Sequence, residues 1–150
     1  MTAVLLSLHV LVAILAVGPV CVAASMFPPE ARRAATDPDA GARLRVLGRI
    51  CRTYAVIGIA VPVLGLATAL AMGVLTEAWV LVSIVLTAAA AGVLAGVVLP
   101  RQRTLLEASG PTDAVAALTG RLAGATGVFN LLWATVTVLM IVRPGSTTGV

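Results

Sequence analysis

The chain has 150 residues, 60% of them hydrophobic and only 11% charged, with a mean hydropathy of +1.10. A soluble domain carries roughly 25% charged residues, so a water-facing globule is excluded, and with it a disordered chain or a disulfide scaffold. The net charge is +4 and every cation is Arg, but these Arg lie between long uncharged runs, which marks membrane-surface positions rather than a nucleic-acid partner.

The uncharged runs cover 1–29, 54–76, 78–100 and 122–142. Each reaches the roughly 20 residues that a helix needs to cross a bilayer. The pattern predicts an all-α membrane fold, an antiparallel bundle of four transmembrane helices in one domain. The predicted spans are about 3–26, 54–75, 78–99 and 122–142.

Span one has no Arg or Lys before its apolar run, so it reads as a retained span rather than a cleaved signal peptide. Gly18-Pro19 predicts a kink, and Phe27-Pro28-Pro29 predicts the helix end. Thr36-Asp37-Pro38 reads as the next helix start. Leu44, Leu47, Cys51 and Tyr54 then recur at helical spacing, with Arg43, Arg45, Arg49 and Arg52 between them. This is a basic amphipathic helix running into span two, suited to a lipid surface or a partner.

In span two, Pro62 with Gly58 four residues before it predicts a bend. Gly73 is placed to end that helix and Thr76 to cap the next, with Glu77 at its positive end. Spans two and three should form a tight hairpin, with Trp79 as a surface anchor. Ala88, Gly92 and Gly96 in span three make a small-residue stripe, as do Gly120, Gly124, Ala123 and Gly127 at the start of span four. Their first use is close helix packing within the chain, and their second a dimer interface. Pro100-Arg101-Gln102-Arg103 marks the end of span three. Gly110-Pro111 breaks the chain, and Thr112 or Asp113 restarts it. Span four stops at Arg143-Pro144-Gly145, and the polar tail 146–150 is predicted to be disordered.

Nine of the ten Arg lie between spans one and two or between spans three and four; Arg143 alone lies on the other side. The positive-inside rule puts both longer loops in the cytoplasm and both termini outside. Cys21 and Cys51 then face a reducing compartment and should be free packing thiols.

No HExxH, GxSxG or P-loop is present, and no acid lies within a span, so the chain reads as a non-enzyme. What remains is polar residues at matched depth. His9 lies about six residues, roughly 9 Å, inside span one. Thr137 is as deep in span four, and Thr68 and Ser83 lie in the same half of spans two and three. Thr126, Asn130, Trp133 and Thr137 share one face. These groups should meet inside the bundle, with His9 bonded to Thr137 or Ser83. Met72 and Met140 lie near that depth and could join His9 as soft donors to copper or haem iron.

The segments Leu8-His9-Val10-Leu11, the Gly-containing end of span one, the basic first loop, Leu99-Pro100-Arg101-Gln102-Arg103 and Met140-Ile141-Val142-Arg143-Pro144 together resemble a known group. They look like the bacterial integral membrane family called domain of unknown function 2269, which is similar to the membrane domain of the CopD copper-resistance proteins. The resemblance covers nearly the whole chain through short motifs. It implies a four-helix bundle in a bacterial plasma membrane. It also makes His9 the position to test, since the broader group uses membrane histidines for copper- or haem-related chemistry. This chain departs from it in having a single His and few aromatic residues.

The expected role is therefore structural or accessory, without a cofactor. The partners would be the lipid bilayer and a second copy or another membrane protein. The alternative is copper or haem handling at His9. The orientation can be checked directly. In a chain lacking Cys21 and Cys51, Ser146→Cys should react with a membrane-impermeant thiol reagent on intact cells; labelling only after lysis would reverse the topology.

Overall fold

The computed structural model describes residues 2–108 and 112–145; the predicted break at Gly110-Pro111 and the tail 146–150 lie outside them. An apolar run in lipid must satisfy its backbone N–H and C=O groups within itself, which favours helix throughout. The helices are α1 (Thr2–Arg33), α2 (Ala40–Ile57), α3 (Ala60–Met72), α4 (Ala78–Val93), α5 (Leu99–Glu107) and α6 (Asp113–Val142), with a π turn, Leu94–Val98, joining α4 to α5. They form four rods, each long and apolar enough to cross a membrane: α1, α2 with α3, α4 with α5, and α6. Successive rods run antiparallel. One end of the bundle carries residues 34–39, the end of α5 and the start of α6, and is rich in Arg. The other carries the turn at Gly73.

Proline explains most departures from the predicted boundaries. Pro62 has no N–H for the Gly58 carbonyl, which instead accepts from Val61 N at 3.0 Å. The expected bend is thus a break between α2 and α3. Pro100 likewise leaves the Gly96 carbonyl without its donor and crowds it. The chain widens into the π turn, where the Leu99 N–H bonds the Leu94 carbonyl. The rod then continues to Glu107 rather than ending at Pro100, because Gln102 and Leu105 are buried against the bundle. Span one also outlasts its predicted end. Pro28 and Pro29 lie inside α1, whose last turns are held by the fully buried Phe27 and by Glu30.

Two expected caps are different residues. Asp37 does not start α2: its carboxylate accepts from Asp39 N at 2.9 Å in a tight turn, and the helix begins at Ala40. Glu77, not Thr76, holds the cap position of α4, its carbonyl accepting from Val80 N and Leu81 N. The other caps follow the pattern. Gly73 adopts a left-handed φ of 68°, and Thr112 Oγ1 accepts from Val115 N at 3.2 Å.

α1 packs along α2 and α3 on one side and α6 on another, and α4 packs chiefly on α6. The core is densest at the Arg-rich end, where Phe27, Leu44, Leu47, Cys51, Val98 and Leu122 meet. Ala16, Val20, Val61, Ala90 and Phe129 continue it through the middle. Only Ala69, Trp79 and Val80 form a buried cluster at the Gly73 end.

The small-residue stripes do not mediate this packing. A Cβ built on Gly92, Gly96, Gly120, Gly124 or Gly127 would meet nothing within 4 Å. Close packing within the chain through these glycines is therefore overturned. Helices approach closely instead at Gly48, where a Cβ would lie 3.1 Å from Leu106 Cδ1, and at Gly65.

Acids tie down the 34–39 connection. Glu30 receives Arg33 Nη1 at 2.7 Å and Arg43 Nε at 2.8 Å, and Arg43 also pairs with Asp37. The Arg43 guanidinium first, and the Asp39 backbone N–H second, hold the Asp37 carboxyl below its ordinary value of 3.8. A carboxyl with a depressed folded pKa contributes stability above its unfolded value and loses it as pH falls through the folded one. Thermal stability should therefore drop on acidification below about pH 4. Asp37→Asn should be less stable at neutral pH and show a shallower acid decline; an unchanged acid limb in a melting series would contradict this.

Candidate functional site

The core thins toward the Gly73 end because α3 and α4, though joined by a short turn, scarcely touch. They meet around Ala69, Trp79 and Val80. Below that contact α3 leans on α1 while α4 leans on α6. Between them lies a cavity of about 1130 Å³, walled by α1, α3, α4 and α6. Its lining is mostly apolar, including Ala13, Val17, Val61, Leu66 and Ile84, with His9, Thr68, Trp79, Thr87, Trp133, Thr137 and Arg143 as the side chains with N or O atoms. Ligand pockets usually run to about 300–1,000 Å³, so there is room for a large apolar body.

His9 is the best-defined polar side chain in this wall. It is 7% exposed, and its Nδ1 lies 3.0 Å from the Val61 carbonyl of α3. A carbonyl only accepts, so Nδ1 carries the hydrogen and a neutral ring keeps its lone pair at Nε2. The ring lies flush on α3 because residue 65 is Gly. A Cβ there would stand 2.9 Å from His9 Cε1, closer than two carbons can pack. Gly65 and the Val61 carbonyl, one turn apart, thus form the seat of the imidazole.

The predicted partners of His9 are elsewhere engaged. Thr68 Oγ1 donates to Leu64 O at 2.7 Å, Ser83 Oγ to Trp79 O at 2.8 Å and Thr137 Oγ1 to Trp133 O at 3.0 Å. Each hydroxyl is satisfied one turn back on its own helix, the local alternative open to Ser and Thr. The expected His9–Thr137 or His9–Ser83 bond is replaced by one to backbone. Asn130 is farther off, its Nδ2 donating to Ser25 Oγ at 3.0 Å between α6 and α1. Ser83 and Asn130 do not line the cavity.

Met72 and Met140 line the same cavity as His9, but at other depths. Met72 is seven residues beyond Gly65, about 10 Å of helix rise. Met140 packs on the cluster of Ala69, Trp79 and Val80. Among the described residues no group of three or more His, Cys, Asp or Glu side chains is placed to hold a metal ion. Cys21 lines the cavity wall and Cys51 is buried near Gln102; both are free thiols.

The sequence makes Trp79 a surface anchor and Arg143 the stop of span four. Trp79 is instead buried in the bundle with no hydrogen-bond partner for its indole N–H. Arg143 lies with its guanidinium carbon 5.6 Å from the centre of that ring. Gly65 had a readable signal, a glycine at the depth of His9 and one turn from Val61. The fold of Arg143 over Trp79 had none, because the two are 64 positions apart.

Comparisons with protein-family models, with curated proteins and with solved structures gave no match.

The imidazole seat makes a sharp stability test. Gly65→Ala should lower the melting temperature, because the ring must leave the Val61 carbonyl. His9→Leu should cost about 1–2 kcal/mol through the lost interhelical bond, whereas His9→Gln, which keeps a donor, should cost less. In a His9→Ala background Gly65→Ala should become nearly neutral, a coupling of roughly 0.5–3 kcal/mol in a double-mutant cycle. Additive penalties would show that the two residues do not share this contact.

Proposed function

We propose that the chain is a non-enzymatic, accessory integral membrane protein that holds a membrane-dissolved apolar molecule between α3 and α4. The cavity of about 1130 Å³ carries this reading. An open cleft of that size lined by Leu, Val, Ile and Ala has apolar walls that gain packing from whatever enters it, and the surrounding lipid supplies molecules that fit it. No paired acid and base or activated nucleophile lines it, so binding is favoured over catalysis.

The proposed setting is a bacterial plasma membrane, with the Arg-rich end in the cytoplasm and both termini outside, from the bias of nine Arg to one. The proposed kinship is the group called domain of unknown function 2269. The open glycine faces of α4 and α6 are available to a second copy or another membrane protein.

Copper or haem at His9 is the alternative, and one observation favours it. An Nδ1–H donating to a backbone carbonyl is the usual support of a histidine that offers Nε2 to a metal. His9 would be the protein ligand; Met72 and Met140, the soft donors expected from sequence, line the same cavity on other helices and at other depths.

The protein reports its own occupancy, because its two Trp, Trp79 and Trp133, both line the cavity. In mild detergent, a brominated long-chain alkane should quench their emission saturably. Ala88→Phe, which projects a ring from α4 into the cavity, should weaken that quenching severalfold while the fold persists. Linear, non-saturable quenching equal in both proteins would reject a ligand site. A Soret band or stoichiometric copper in the same preparation, lost in His9→Gln, would favour the alternative.

A further inference from the structure

We propose that the cavity takes a long-chain amphiphile with an anionic head, a carboxylate or a phosphate monoester, its head held by Arg143 and Trp79 and its chain running down between α3 and α4. The inference rests on the cavity being a ligand site and adds which chemistry that site selects.

The first observation is an unused donor. Trp79 is 9% exposed, lines the cavity, and its Nε1 is buried with no acceptor. A buried N–H without a partner costs free energy, and an oxygen admitted beside it by a small shift of the ring would recover that cost. The second is the posture of Arg143. It is the only described non-glycine residue with positive φ, at 46°, and it precedes Pro144, a position that disfavours helical backbone. That left-handed turn closes α6 through Arg143 N–H to Leu139 O. The side chain folds back to the cavity, with Nε donating to Met140 O at 3.3 Å and the guanidinium over the Trp79 ring.

The third observation is charge. Arg143 has no ion-pair partner among the described residues, and no acid lines the cavity. Glu77, the acid nearest in sequence to Trp79, is exposed at the start of α4. With Nε engaged, the terminal guanidinium nitrogens keep their N–H groups in a planar fork that matches the paired oxygens of a carboxylate or phosphate. The cavity then continues away from this cation along α1 from Leu6 to Cys21, about 22 Å of helix. One charged group at the mouth and a long apolar channel behind it describe an anionic single-chain lipid.

Quenching of Trp79 and Trp133 by terminally brominated chains of one length separates the possibilities. The carboxylate and the phosphate monoester should each half-saturate at about one-tenth the concentration of the matching alcohol, as expected for charge-assisted hydrogen bonds. Arg143→Gln should abolish that preference, while the alcohol and the alkane still quench saturably. Trp79→Phe, read through Trp133, should narrow it. Preference for only one of the two anions would still support an anionic head and identify it. Inorganic phosphate at millimolar concentration should displace none of the brominated chains; if it does, the site takes free anions and the chain is incidental. Equal curves for acid and alcohol, or a preference that survives Arg143→Gln, would overturn the inference while saturable alkane quenching leaves the cavity reading intact. Loss of saturable quenching by the alkane as well would remove both.

Discussion

A carbonyl stripped of its donor by proline must find another one before it can be left in an apolar layer, and the shape of this bundle follows from how that is done. Pro62 sends the Gly58 carbonyl to Val61 N, three residues on instead of four. The tighter turn breaks the second rod into α2 and α3 and lets the two halves lean differently. Pro100 is met with the opposite device, a turn that widens to bond Leu99 N–H to Leu94 O. A tight break in one rod and a wide turn in the next re-aim neighbouring helices, so that the hairpin at Gly73 opens instead of zipping along its length.

The imidazole of His9 belongs to the same economy of donors. It donates to the Val61 carbonyl directly beside the proline break, and Gly65 clears the space for it. An interhelical bond of this kind is worth about 0.6–2 kcal/mol in a membrane, too little to hold a bundle but enough to choose a direction. It draws α3 toward α1 and therefore away from α4. His9 thus acts through geometry: by fixing where α3 leans, it keeps the cavity wall in place. A role for its free Nε2 in ligand contact would add to this positioning and need not replace it.

Much of the architecture was legible because lipid imposes one strong rule. The four uncharged runs named the four rods, and Gly73, Thr112 and Arg143-Pro144 named where some of them start or stop. The misplaced helix ends at the prolines share one cause. The rule for helices in isolation makes Pro28-Pro29 and Pro100 ends, but in this bundle Glu30, Gln102 and Leu105 are buried beyond those prolines and carry the helix on. The site was less legible still. Matched depth grouped His9, Thr68 and Thr137 correctly around one cavity, yet it could not show that each hydroxyl would bond its own helix. Depth is a one-dimensional coordinate; partner choice depends on azimuth, which the small, uniformly apolar helix faces leave almost unmarked.

The two ends of the molecule divide the labour that a soluble protein would give to core and surface. At the Arg-rich end Phe27, Leu47, Cys51 and Leu122 fill the interior, and Glu30 with Arg33 and Arg43 closes it. Arg101 Nη1 donates to Arg121 O and ties the third rod to the fourth. That end can hold the bundle together without help from the other. The Gly73 end is then free to stay thinly packed, with Trp79 unpaired and Arg143 held in a backbone conformation that costs of order 1–3 kcal/mol. A strained cation and an unused buried donor on one cavity rim would be liabilities in a protein whose task was only to stay folded. They are tolerable because the opposite end supplies the stability, and they become useful once an anion occupies the rim. The physical case for a ligand at this end is therefore the coincidence on one rim of an unpartnered indole N–H, a cation without an ion-pair partner among the described residues, and an open apolar cavity.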